Sequence, residues 1–467
     1  MGLRFLANGA LLGDTLLDAL QTRDASRLRR YREYLDIYEG KHWLSTSGRR
    51  GGRSTLTLNY ARAVVDKGVS YLLGRGLNFA VPADASTGSG RDIATDSAER
   101  AERCLYDVYQ DNNLDAVDMA AALNAGLLGD AVFKVFYDTG ERRVRVVNVD
   151  PLAFFPRWSG DDLGALWRVD LAYRLPAHEV ERLYGRRSAN GVTSVSGGKG
   201  TADEVEVVER WTTDEFTLTV GREEVRAGPN PYGFIPFVHV ANLQPPNEYW
   251  GVSDLRDVIG LNRALNERMS DQADLIRYHA DPPVVFRGVS EHTDLAVGPG
   301  TVWDLPVDGD VKLLEWQGAA PDVGDHIDRL LRAMYEISET PRTAFGDSGR
   351  LLSGVALETE LRPLIQKTLR KRVTWTAALR RRSAMVLQLA ERFGVGGARV
   401  GEYAPYRTRV IWPPMIPRDD AQEVQNNLAL VQAGLRSHRT AMDALGTEDP
   451  EKELEQVLQD RTKLTSS

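Results

Sequence analysis

Residues 253–281 read SDLRDVIGLNRALNERMSDQADLIRYHAD and run straight into Pro282-Pro283. Leu255, Val258, Asn262, Leu265, Met269 and Ile276 recur every three to four positions, the spacing of one helix face. Ser253 and Asp254 supply N-capping chemistry. The prolines stop the helix, because they lack an amide proton and crowd the preceding turn. A helix over all 29 residues would be ~43 Å long. Asn262 and Asn266 share the apolar face, either fixing register against a neighbour or sitting as ordinary polar boundary positions.

On the C-terminal side comes a short β-rich module. Val284-Val285-Phe286, Thr301 to Leu305 and Val311 to Trp316 are separated by Gly/Pro/Asp turns. A second amphipathic helix follows from Asp322 to Ser338, so two long helices bracket a small β unit. Pro341, Gly346 and Gly349 forbid a continuous helix through 340–352. Ser353 to Phe393 then reads as helix for 41 residues, roughly 60 Å, with a bend expected at Pro363. A strand pair is expected around 398–412. A helical tail over 418–461 follows, capped by Asp419 or Asp420 and broken at Gly434.

On the N-terminal side the period changes to two. Residues 131–137 and 143–147 flank Asp138-Thr139-Gly140 as a hairpin, and strand-like runs continue at 166–173, 205–212, 215–220 and 235–241. Helical patterns precede them over 14–40, 59–73 and 97–128. Helices packed on a mainly β segment place the chain in the α+β class.

The 467 residues hold 58 Lys+Arg against 66 Asp+Glu, a net charge of −8, with 42 % hydrophobic and 27 % charged residues. That supports two to four globular units and excludes wholesale disorder, collagen and coiled-coil rods. Cys104 is the only cysteine. It rules out an internal disulfide and a cysteine-based metal cluster, fits a reducing compartment, and reads as a buried helical thiol. No stretch approaches the ~18 apolar residues of a membrane span. Asn8, Asp14 and Asp18 break the apolar opening, so no signal peptide is expected. Leu6 stands where myristoylation wants Ser or Thr. A soluble chain made inside the cell is the expectation.

Catalytic motifs are missing. Ser196-Gly197-Gly198-Lys199-Gly200-Thr201 puts Gly200 where a phosphate loop needs Ser or Thr after its lysine, and reads as a flexible surface loop. The seven histidines show no metal-binding spacing. Gly346-Asp347-Ser348-Gly349 fails the nucleophile-elbow pattern. Asp161-Asp162 and Asp419-Asp420 have no histidine nearby in sequence and read as solvated surface. No catalytic residue, metal site or cofactor is assigned, although residues distant in sequence can still meet in the fold.

Taken in order, Asn59-Tyr60-Ala61-Arg62-Ala63-Val64-Val65-Asp66, Tyr71-Leu72-Leu73-Gly74, Pro231-Tyr232-Gly233-Phe234-Ile235-Pro236-Phe237-Val238, Trp250-Gly251-Val252-Ser253-Asp254-Leu255, Ser353-Gly354-Val355-Ala356-Leu357 and Gly434-Leu435-Arg436-Ser437 resemble the portal proteins of tailed bacteriophages, of the siphophage type. The resemblance runs from about Tyr31 to Leu458. It implies a multidomain portal fold: an α/β wing over 1–250 and 353–412, and stem helices over 251–281 and 322–340. A β-rich clip would occupy 282–321, a tunnel loop 341–352 and a helical crown 413–467.

The resemblance further implies a ring, usually of twelve subunits, at one capsid vertex of the virion, assembled in the host cytoplasm. Double-stranded DNA would pass through it in packaging and ejection without sequence readout. Terminase, a major capsid or scaffolding protein and head–tail connector proteins would be its partners, with no membrane involved. Arg342, Thr343, Phe345, Gly346, Asp347, Ser348, Gly349, Arg350, Leu351 and Leu352 fall where such a loop meets DNA, against the plain reading of a helix connection holding an Asp347–Arg350 pair. Trp303, Leu305, Leu314 and Trp316 become clip anchors or a docking surface.

Basic charge is concentrated over 362–392, nine Lys/Arg against Glu391 alone. Lys367, Arg370, Lys371, Arg372, Arg380, Arg381 and Arg382 are candidates for phosphate or intersubunit contacts, with an interface or surface role favoured over DNA. A net acidic chain suits a conduit that must let DNA slide. The competing readings are a nuclease-like enzyme and a structural adaptor without a DNA path.

Overall fold

Single residues set the helix breaks in the first third of the chain. The computed structural model describes residues 16–41, 56–74, 76–82, 91–184, 204–280, 284–287, 310–313, 323–347, 354–415, 420–445, 453–454 and 456–458. The 14–40 pattern is two helices, α1 (Leu16–Arg23) and α2 (Ala25–Tyr38), divided at Asp24. α3 (Tyr60–Leu73) is capped by Asn59, whose side chain accepts from the Arg62 amide at 3.0 Å. β1 (Asn78–Ala80) follows. The expected helix over 97–128 is also two, α4 (Arg91–Asp111) and α5 (Leu114–Leu128), because Asn113 turns left-handed at φ 48° between them. Asparagine tolerates that conformation better than most side chains.

The mainly β segment is antiparallel throughout. β2 (Asp130–Asp138) is the centre of a three-stranded sheet, between β3 (Arg143–Val149) and β9 (Phe237–Ala241). Between β3 and β9 the chain builds a five-stranded meander of β4 (Phe154–Ser159), β5 (Asp162–Pro176), β6 (Glu204–Trp211), β7 (Glu215–Val220) and β8 (Glu223–Pro229), with α6 (Ala177–Tyr184) after β5. Val132, Phe154, Val169, Trp211 and Phe237 form one core joining the two sheets.

α7 (Ile259–Ala280) is shorter than its sequence pattern, about 33 Å over 22 residues. Residues 254–258 form turns instead of helix, because Asp254 is drawn into the protein interior and does not cap. β10 (Val284–Arg287) and β11 (Asp310–Leu313) pair antiparallel, and α8 (Val323–Ser338) packs beside α7. The other expected strand of this module, 301–305, lies outside the described residues.

The asparagines of α7 have a defined task. Asn262 Oδ1 accepts from the Ala61 amide at 2.9 Å, and its Nδ2 donates to the Leu58 carbonyl at 2.9 Å. Asn266 Oδ1 accepts from the Leu58 amide, and Ser270 Oγ from the Leu56 amide, each at 3.0 Å. Residues four apart on a helix thus replace the strand partner that the extended entry to α3 lacks. Asn262→Ala should cost about 2 kcal/mol, since it orphans buried backbone groups. It should also accelerate hydrogen exchange at the Ala61 amide and leave the helix after α8 unaffected; unchanged exchange there would contradict this role.

α9 (Gly354–Phe393) is one helix of 40 residues with Pro363 inside it. It covers the three-stranded sheet, where Trp375 meets Phe133 edge-on at 6.1 Å and both are fully buried. The strand pair expected at 398–412 does not form. β12 (Arg409–Ile411) pairs with β1 instead. Residues 398–406 wrap the buried Glu391 carboxylate, which accepts from the Gly401 amide at 2.9 Å, the Tyr406 hydroxyl at 2.7 Å and the Tyr403 amide. Amides gathered by a carboxylate are not available for a ladder.

The structure divides into two units, Met1–Ile411 and Trp412–Ser467. In the second, α10 (Asp420–Gln432) and α11 (His438–Ala444) are separated at Gly434, φ +70°. Asp419 lies outside the described residues.

Candidate functional site

The motif Trp250–Leu255 threads along the C-terminal turn of α5, each residue with its own anchor. Trp250 lies under the Arg27 guanidinium at 4.1 Å. The Gly251 amide donates to Asp130 Oδ1 at 2.8 Å, Ser253 Oγ donates to the Leu127 carbonyl at 2.5 Å, and the Asp254 amide donates to the Gly126 carbonyl at 2.9 Å. Asp130 is fully buried, accepts from the Tyr31 hydroxyl at 2.5 Å and lies 2.7 Å from His239 Nε2. Burial and the neighbouring carboxylate hold the Tyr31 hydroxyl well above its ordinary pKa, so it acts as a donor.

Asp254 ends this thread in a buried ion cluster. Its carboxylate is 2.5 Å from Lys371 Nζ and 3.0 Å from Lys367 Nζ, and Asn242 Nδ2 donates to it at 3.3 Å. Burial alone would raise the Asp254 pKa, but Lys371 and Lys367 outweigh it and hold the carboxyl at about 2. For Lys371 burial wins, and its pKa lies below the ordinary lysine value despite Asp254. Two ammoniums against one carboxylate leave an excess positive charge. Lys367 Nζ also donates to the Ser338 carbonyl at 3.0 Å, at the C-terminal end of α8 where the helix dipole is negative.

That geometry makes the cluster a junction. Asp254 leads into α7, Ser338 closes α8, and the two lysines belong to α9. Gly68 on α3 and Gly126 on α5 make room for it: a Cβ on either would come within 3.3–3.4 Å of Asp254 Oδ2. A second clamp joins Arg370 to Glu339 at 2.5 Å, and Glu339 itself takes φ +54°.

From this junction the chain runs into the loop singled out in the sequence. Thr340 is buried and Pro341 opens a short 3-10 turn, Arg342–Phe345, closed by Gly346 at φ +88°. Arg342 pairs with Asp347 at 2.5 Å, which gives Asp347 a partner on its N-terminal side. Phe345 lies 5.9 Å from the Tyr335 ring, with Lys67 Nζ 5.7 Å from its face. Ser348, Gly349, Arg350, Leu351 and Leu352 lie outside the described residues, as do Trp303, Leu305, Leu314 and Trp316.

The basic run of α9 divides into inward and outward residues. Lys367, Lys371 and Arg382 correct the expectation of phosphate or intersubunit contacts: they are 6 %, 2 % and 2 % exposed and committed within the subunit. Arg382 pairs with the buried Asp118 and covers the Phe133 ring at 4.7 Å. Arg372 is half-buried, and burial lowers its pKa to about 10. Arg370 reaches Glu339, while Arg380 and Arg381 are exposed. The sequence marks Asp254 only as an N-cap, a role it does not take, and does not mark Asp118 at all. The one available signal was Lys367 and Lys371 four apart on an apolar face, a spacing that calls for a carboxylate without saying which one.

Among the described residues no helix is long and apolar enough to cross a membrane, and no group of three or more His, Cys, Asp or Glu side chains is placed to hold a metal ion. A family model described as phage portal protein, SPP1 Gp6-like, matches residues 17–464. The chain belongs to the phage portal protein family. No curated protein matches it. Phage portals are structural proteins of the capsid, concerned with DNA packaging. Its described residues form a mixed α+β fold in which α7 and α8 pack together and stand before and after the antiparallel β10–β11 pair.

Proposed function

We propose that the chain assembles, without enzymatic activity, into a twelve-membered ring at one capsid vertex. The ring serves as the channel for double-stranded DNA in packaging and ejection. It also serves as the platform for terminase and later for head–tail connector proteins, with a major capsid or scaffolding protein around it. The match over residues 17–464 carries this reading. In it α7 and α8 form the stem, β10 and β11 belong to the clip, and residues 341–352 form the loop that meets DNA.

The loop's electrostatics support the reading. Arg342 is exposed and pairs with Asp347, and with Arg350 the segment 341–352 carries a formal charge of only +1, so it offers guanidinium contacts without the strong positive charge that would trap the phosphate backbone. The net charge of −8 acts in the same direction. Native mass of the purified 51.9 kDa chain, with electron micrographs of the same sample, tests the proposal: about 620 kDa and a closed ring with a central hole are expected for twelve copies. A compact dimer with no hole would overturn it.

A further inference from the structure

α9 presents two contrasting surfaces on opposite sides. At about 100° per residue, Arg362, Gln366, Leu369, Val373 and Arg380 lie within about 60° of one another around the helix. Leu369 and Val373 are 51 % and 71 % exposed, and Glu358, one turn before Arg362, borders the stripe at its N-terminal end. Glu360 points about 150° away from it. There it joins Pro363, Tyr335, Glu336, Pro341 and Asp347 in lining a cleft of about 650 Å³ between the end of α8, the loop after it and α9. The lining holds four carboxylates against two guanidiniums. Thr343 Oγ1, also in the lining, is buried without a hydrogen-bond partner in the subunit, a condition that costs free energy until something supplies one.

We infer that the basic and apolar stripe of α9 in one copy seats on the acidic cleft of a second copy. Leu369 and Val373 would lie against Tyr335, Pro341 and Pro363, with Arg362 and Arg380 facing Glu336 and Glu360. This rests on the ring reading above. A ring closed by rotation needs two different, complementary patches facing away from each other on each subunit, as these do. Exposed leucine and valine argue for a protein partner over nucleic acid, whose phosphate backbone offers no apolar surface.

Cross-linking tests the pairing. Glu360→Cys and Val373→Cys in one chain are about 20 Å apart along α9, too far for a disulfide within the subunit. The native Cys104 thiol is held at about 11 by burial and does not compete. Oxidation of the assembled double variant should give a ladder of covalent multimers on a non-reducing gel, with neither single variant doing so. A ring of full native mass without that ladder overturns the inference and leaves the ring reading standing. A wild-type chain that forms no ring overturns both.

Charge reversal is the second arm. Arg362→Glu with Arg380→Glu should weaken assembly about tenfold or more, and adding Glu336→Arg with Glu360→Arg should restore it. Assembly unaffected by the first pair, or not restored by the second, overturns the inference.

Discussion

Asp254→Asn should cost about 3–5 kcal/mol, read as a fall in the urea midpoint, because it leaves the Lys367 and Lys371 ammoniums buried without a counter-ion. The expectation concerns the loss of one partner, not the worth of the pair. Lys371→Met is the contrast. It removes the ammonium that burial penalises, keeps the 3.0 Å Lys367–Asp254 pair, and should change stability by about 1 kcal/mol or less. Equal losses in the two variants would show that packing, not charge balance, holds the junction.

Acid gives an independent reading of the same carboxylate. The folded Asp254 pKa of about 2 lies below its ordinary value of 3.8. A depressed carboxylate contributes stability that is present above the unfolded pKa and is lost as pH falls through the folded one. The contribution is about 2 kcal/mol and should fade between about pH 4 and pH 2. Unfolding free energies measured across that window should drop more steeply for the wild type than for Asp254→Asn. Parallel curves would mean the carboxylate is not ionised in the fold as described.

Gly251→Ala should be comparably severe, about 3 kcal/mol or more, and visible as loss of soluble folded protein. A Cβ on Gly251 would lie 2.1 Å from the Gly129 carbonyl oxygen and 2.8 Å from the Asn242 amide nitrogen. Neither can yield cheaply. The Asn242 amide donates to that same carbonyl at 2.8 Å, and Gly129 is itself left-handed at φ +99°. Gly260, on the exposed face of α7 with open space around its Cβ position, is the control. Gly260→Ala should be neutral or stabilising by up to about 1 kcal/mol, through helix propensity and a less flexible unfolded chain. A Gly251→Ala chain as stable as the wild type would mean that the backbone crossing at 129 and 251 is looser than described.

Periodicity made the long elements legible. α9 buries a stripe along its length, α7 and α8 bury theirs only in part, with Ile276 and Ile337 exposed, and β2 with β3 alternates around a turn, because such patterns are local consequences of a helix or strand lying on a core. The helix divisions at Asp24 and Asn113 were less legible, since a single residue's backbone preference is a weak signal inside an apolar repeat. The strand pair expected at 398–412 failed for a different reason. Its amides answer to Glu391, on the helix before it, and β12 answers to β1, more than 300 residues upstream.

The candidate site divides along the same line. Residue order and spacing were enough to mark two helices around a β module, a Gly/Pro loop after them, a basic helix and the resemblance to portal proteins. They did not say that Lys367, Lys371 and Arg382 face inward while Leu369, Val373 and Arg380 face out, nor that Asp254 and Asp118 are the counter-ions. Charge pairing in a protein interior is decided by which side chains are desolvated together. For Asp254 and Lys371, 117 residues apart, only the packing of α3, α5 and α9 around one carboxylate decides it.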